Sequence, residues 1–347
     1  MISLGRRSRR LTRPAFGCVL CIVLAALVSA ANASSQRTPA GEHLLRVGGT
    51  ALQVIAGNGS LWVLTCNRGC SGEVRHSIGR IVRVDPRRGR VTASGRIARP
   101  HAIAAGRDGV FATDFWRDRV RRFDPTTLRQ TASLRLVLPT AIRPRGATFL
   151  PNDLAVAPNA LWVATQWCAL ARVDQSLSGM VALVRLPCDA YQTMAVGAGA
   201  IWVSESLAGV YRIDAATNRV AARIHVESPT GPLVANRFLF GSGSVFVVGS
   251  WTRFGSLTRR NGLARIDPSG NRVSSVTPLP PGPLAVAFGE SSLWVGQAGG
   301  SQVLRLDPRT GKIISRLRAD IGTALAVAAG RLWTTGRHGT IHSIAIP

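Results

Sequence analysis

One stretch of this chain keeps returning. Its cleanest copy runs from Thr193 to Val226, where four short apolar runs are separated by Gly197-Ala198-Gly199, Ser206-Leu207-Ala208-Gly209 and Asp214-Ala215-Ala216-Thr217-Asn218. Short β-rich runs bounded by turn residues read as strands of an antiparallel meander. The second run, of Leu/Ile-Trp-Val type, restarts at Leu61, Val110, Leu161, Ile201, Val245, Leu293 and Leu332, at intervals between 39 and 51 residues. A four-strand unit at that period predicts the blades of a β-propeller. The slot filled by Trp62, Phe111, Trp162, Trp202, Phe246, Trp294 and Trp333 then belongs to inter-blade packing, because both faces of each sheet are covered.

The ends of the repeat predict how the ring closes. The last unit supplies Thr323–Val327, Leu332–Thr334 and Thr340–Ile346 and stops one strand short. An orphan strand, His43-Leu44-Leu45-Arg46-Val47, precedes the first unit. Pairing it with the last unit removes the open seam. The expected fold is therefore all-β: a seven-bladed propeller of four-stranded antiparallel blades, the last blade closed by the N-terminal strand.

Residues 1–33 fall outside that pattern. Arg6, Arg7, Arg9, Arg10 and Arg13 precede an apolar stretch from Ala15 to Ala31, and Ala31-Asn32-Ala33 offers a small-residue cleavage site. This is secretory signal-peptide chemistry, with an uncleaved anchor as the rival reading. The expected division is 1–33 signal peptide, 34–42 linker and 43–347 propeller. No later run is long enough to span a bilayer, so the mature chain is expected to be secreted or periplasmic. Four cysteines then remain, Cys66, Cys70, Cys168 and Cys188. An even number in an exported chain suggests two disulfides. Pairs within one blade, Cys66–Cys70 and Cys168–Cys188, are favoured over the other pairings. A metal site is the weaker alternative, because no histidine pair stands nearby at ligand spacing; neither metal nor cofactor is expected.

Charge enters the argument next. Removing the five leader arginines from a formal charge of +26 leaves +21, with Lys312 the only lysine. Such a surface favours polyanions or anionic ligands, although arginine in place of lysine also suits a GC-rich genome. Six arginines belong to the repeat itself, as Arg-apolar-Asp: Arg83/Asp85, Arg122/Asp124, Arg172/Asp174, Arg212/Asp214, Arg265/Asp267 and Arg305/Asp307. Residues two apart share a strand face, so each Arg is expected to pair with its Asp as scaffold. The turns that follow, such as Asp307-Pro308-Arg309-Thr310-Gly311, have type I turn chemistry and predict a hairpin between third and fourth strands.

Units of the form Gly-x-Leu-Trp-Val…Gly-x-Val-x-Arg-Ile-Asp-Pro-x-Thr-Gly resemble the bacterial YncE-like propellers and their sister group, the streptogramin B lyases. The resemblance covers nearly all of residues 43–347 and lies in the scaffold. It implies the propeller fold and, for the lyases, a site on top of the ring with histidines, a glutamate and a magnesium ion. The lyase Glu-x-His pattern after a second strand is absent here; only His101 matches one of the family's histidines by position.

Candidate site residues follow from propeller geometry. The starts of first strands, the ends of second strands and the loops between blades share one face, termed the upper face. Three long upper loops, Cys66–Ser77, Leu136–Asp153 and Ser250–Gly262, carry among others Arg143, Arg145, Arg253, Arg259 and Arg260. Trp116, Trp167 and Trp251 lie outside the repeat slot on the same side. Guanidinium forks and aromatic faces suit carboxylate, phosphate, sulfate or sugar ligands. Around the channel mouth the same reasoning places His101, Asp114, Asp153, Gln192, Glu205 and Gln297. No P-loop, zincin motif or nucleophile elbow occurs. The expected function is an exported, monomeric binding module for an anionic small molecule, glycan or protein partner. The alternatives are a lyase or hydrolase using His101 with Asp114 or Glu205 as acid and base, and a salt-sensitive polyanion binder.

Overall fold

Each Leu/Ile-Trp-Val run becomes the second strand of a four-stranded antiparallel sheet, and seven such sheets form the ring. The computed structural model describes residues 43–68, 77–137, 139, 151–165, 169–186, 193–204, 209–228, 231–252, 259–282, 284–336 and 338–347. The first, innermost strands are Thr50–Gly57, Pro100–Ala105, Pro151–Ala157, Met194–Gly197, Val234–Gly241, Leu284–Gly289 and Leu325–Ala328, for blades 1 to 7 in order. Each packs beside the next, and the seventh returns to the first. Two-residue turns join first and second strands in every blade but the second, where the turn is longer; a small hairpin, Glu227–Ser228 with Gly231–Pro232, precedes blade 5.

Closure is as the terminal strands predict. His43–Arg46 pairs antiparallel with Thr340–Ala345, His43 opposite Ser343 and Arg46 opposite Thr340. Val47 continues the contact, its N–H donating to the Gly339 carbonyl at 2.8 Å.

The aromatic slot is core. Trp162, Trp202 and Trp294 are fully buried, Trp62 and Trp333 nearly so, with Phe111 and Phe246 in the same role. Truncating such a side chain to Ala removes about 3–5 kcal/mol. A buried indole N–H needs an acceptor. Those of Trp62, Trp202, Trp294 and Trp333 donate to the carbonyls of Gly57, Gly197, Gly289 and Ala328, at 2.9–3.3 Å, where their own first strands end. The glycine at that end also lets blades approach. A Cβ on Gly241 would lie 2.0 Å from the Phe288 ring of the next blade, and one on Gly197 2.4 Å from Phe240.

The Arg-apolar-Asp trios do not pair as expected. None of the four described ion pairs joins an Arg to the Asp two residues on. Each Asp accepts turn N–H groups instead: Asp85 from Arg87 and Arg88 at 2.9 and 3.1 Å, Asp214 from Ala216 and Thr217 at 2.8 and 2.9 Å. Asp124, Asp174, Asp267 and Asp307 do the same. Local donors two and three residues away are already positioned by the turn, and so win over a long guanidinium. These bonds hold all six carboxyls below the ordinary aspartate range. Several of the arginines span blades. Arg172 reaches Asn218 Oδ1 and Arg212 reaches Asn271 Oδ1, both at 3.1 Å, and Arg265 reaches the Arg309 carbonyl at 2.9 Å, so these three are inter-blade clamps. Arg83 and Arg122 bond within their own blades, to Ser60 Oγ and the Asp108 carbonyl. Arg83, Arg172 and Arg305 lie 5.4–6.0 Å from the Trp62, Trp162 and Trp294 ring centroids, within cation–π range.

Candidate functional site: the central channel

The seven first strands enclose a channel of about 320 Å³, and every blade contributes to its lining. The residue nine places before each aromatic slot marks one level of the channel: Gln53, Ala102, Asp153, Thr193, Arg237, Ala285 and Ala324. All but Ala102 line it. In blades 1, 3 and 5 the strand slips register immediately before this position, between Ala51 and Gln53, Pro151 and Asp153, and Ala235 and Arg237, and in blade 2 it slips across it, between Pro100 and Ile103. A bulge re-aims the side chain beside it, and blades 1, 3 and 5 carry the two longest side chains and both charges of the ring.

Asp153 is spoken for. Its Oδ1 accepts the Leu154 N–H at 2.9 Å, and its Oδ2 accepts the Met194 N–H at 3.0 Å and the Thr193 hydroxyl at 3.1 Å, tying blade 3 to blade 4. Burial pushes its carboxyl above the ordinary aspartate value, against the pull of Arg237 and of these hydrogen bonds. Gln53 ties blade 1 to blade 2, its Oε1 accepting the Ile103 N–H at 3.1 Å. Arg237 differs from both. It is exposed in the channel and feels the Asp153 charge, yet makes no hydrogen bond or ion pair within 4.0 Å with a described residue.

His101 stands beside this ring. Its Nε2 lies 3.0 Å from Asn152 Oδ1, and its ring lies against Phe115 with centroids 4.7 Å apart. Burial lowers its pKa, opposed by the Asn152 bond and the Asp153 charge. Asp114 is fully buried and engaged elsewhere, with Arg121 at 2.7 Å and Arg99 at 3.4 Å. The two do not share a hydrogen bond: Asp114 anchors a pair of arginines beneath the short helix Phe115–Arg117, and His101 turns towards blade 3.

The remaining sequence candidates scatter. Trp116 is half-buried, edge-on to Phe115 at 5.3 Å. Trp251 is 5% exposed and packs in the core of blade 5. The expected loop there is shorter than Ser250–Gly262, because the strands Ser244–Thr252 and Arg259–Asp267 run on, pairing Trp251 with Arg260. Gly262 permits this, since a Cβ there would lie 2.4 Å from the Trp251 ring. Trp251 therefore offers no stacking surface, whereas Arg260 is exposed. Arg259 lies on the strand opposite Thr252. Cys66 is buried on the second strand of blade 1 and is disulfide-bonded. Arg143, Arg145, Trp167, Gln192, Glu205, Arg253, Cys70, Cys168 and Cys188 lie outside the described residues. Among the described residues no three His, Cys, Asp or Glu side chains gather as a metal site, and no helix is long and apolar enough to cross a membrane.

Solved structures share this architecture. A chain of Kuenenia stuttgartiensis hydrazine synthase superposes with a TM-score of 0.64 at 14% identity, over 91% of this chain and 99% of that one. BamB from Moraxella catarrhalis superposes with a TM-score of 0.54 at 15% identity, over 86% of this chain and 85% of its own. The chain is a seven-bladed β-propeller. At such identities the likeness is one of fold alone, and a propeller hosts many unrelated functions. No family model matches the sequence, and no curated protein matches it. Function must be argued from the channel.

The residues that sequence reasoning missed are Gln53, Thr193, Arg237 and Thr323, all lining the channel. Their signal was present. Gln53, Asp153, Thr193 and Arg237 share one offset from the aromatic slot, a register that becomes visible once the slot is used as a ruler.

Proposed function

We propose that this protein is an exported binding module that seats an anionic small molecule at the polar ring of its channel. The observation that carries the reading is Arg237. It is a charged fork exposed in a concave site, without a close partner among the described residues, beside hydroxyl and amide groups from other blades. A planar guanidinium of this kind suits carboxylate and phosphate. The Asp153 carboxylate does not satisfy it, because Asp153 is already held by Leu154, Thr193 and Met194. The net positive charge of the chain would draw an anion towards it by long-range attraction. The leader-like residues 1–33 and the disulfide-bonded Cys66 fit an oxidising, extracytoplasmic setting. The repeat motif supports a place among YncE-like propellers.

Calorimetric titration of small carboxylates, phosphate and sulfate into the wild type and Arg237→Gln tests this. Hydrogen bonds to a charged group are worth about 1.5–3 kcal/mol, so the variant should bind about ten- to a hundredfold more weakly with an unchanged circular-dichroism spectrum. Equal affinity in the variant, or no binding to any of the anions, would overturn it.

A further inference from the structure

The channel is not uniform along its length. The polar level of Gln53, Thr193 and Arg237 lies towards the starts of the first strands, with Thr323 beside it. Two and three residues further along the same strands, the lining turns to Ile55, Leu239, Phe288 and Val327. These four side chains are only partly buried by the blades around them. Towards the far ends of these strands adjacent blades pack closely, Phe288 over Gly241 and Val327 over Gly289, where added Cβ atoms would lie 2.0 and 2.5 Å from those side chains.

We infer that the channel takes an amphiphilic monocarboxylate, its carboxylate on Arg237 and its apolar tail directed down the channel against Ile55, Leu239, Phe288 and Val327. This rests on the anion-binding role proposed for Arg237 and specifies the rest of the ligand. A ligand made only of charge, such as phosphate or sulfate, would leave the apolar half of the channel filled with water beside hydrocarbon. A tail displaces that water and gains roughly 0.8 kcal/mol per buried methylene, about a fourfold rise in affinity for each. The strand from Arg237 to Phe240 rises about 10 Å at 3.3 Å per residue, which bounds the length of tail that this apolar lining covers.

The test is a homologous series of straight-chain carboxylates, from acetate upward, titrated into the wild-type protein, with the matching primary alcohols as controls. Affinity should climb about fourfold per methylene and then level off when the tail outruns the apolar lining, while the alcohols bind far more weakly. Leu239→Ser should flatten the climb, and Arg237→Gln should lower the whole series. A series with no dependence on chain length, still weakened by Arg237→Gln, would overturn the tail assignment and leave the anion site standing. Absence of binding by every carboxylate, phosphate and sulfate would remove both. Alcohols binding as well as the acids would also overturn the assignment, by showing that the carboxylate contributes nothing.

Discussion

A single carboxyl shows how the scaffold and the channel share residues. Asp153 accepts three hydrogen bonds from blades 3 and 4, yet burial still raises its pKa above the ordinary value. A carboxyl whose folded pKa lies above its unfolded one, near 4, contributes its stability fully at low pH and loses it as pH climbs through the folded value. Asp153→Asn removes that titration. The melting temperature of the wild type relative to this variant should therefore fall as pH rises above about 4, and a difference that does not change with pH would contradict it. At this scale the aromatic slot was legible, because a Trp or Phe every 39–51 residues reads as repeated packing. The roles of Arg and Asp in each trio were half legible. Period two correctly put both on one strand face, but the nearer turn N–H groups captured the aspartates, and several of the arginines reached across to the next blade. Trp251 misled for a related reason. Its strand continues past the usual end because Gly262 opens a space for the indole.

Strands carry the next level of the account. The closing strand His43–Arg46 covers the outer edge of Thr340–Ala345, and Val47 is buried in the core shared by blades 7 and 1. Deleting residues 43–47 should expose that edge and lower the melting temperature. Val47 alone contributes about 1.5–3 kcal/mol, several degrees for a domain of this size, and the bare edge should promote aggregation. Deleting residues 34–40 should leave melting unchanged. A 43–47 deletion that melts like the full chain would show that this strand does not hold the ring together. Closure was legible from sequence because a repeat with three strands at one end and one at the other has a single way to complete itself. The bulges of blades 1, 3 and 5 were not, because Leu52, Asn152 and Asn236 are unremarkable on a strand and only blade 3 carries a proline, Pro151, beside its bulge.

On the scale of the whole molecule, the ring makes the site by symmetry and then breaks it. Six of seven equivalent positions line one level of the channel, two of them alanines, and they bring together a carboxyl that is already bound and a cation uncommitted among the described residues. The strong net positive charge of +26 says only that anions are attracted to the molecule; the channel says where one can stop. Locating a bound ligand tests this most directly. A crystal soaked with a short carboxylate bearing bromine at its tail end would reveal the tail by anomalous scattering. The account predicts a bromine peak inside the channel, between Leu239 and Phe288, with the carboxylate oxygens in hydrogen-bonding reach of the Arg237 guanidinium. Full occupancy on the outer surface with the channel empty, or a carboxylate seated away from Arg237, would contradict it.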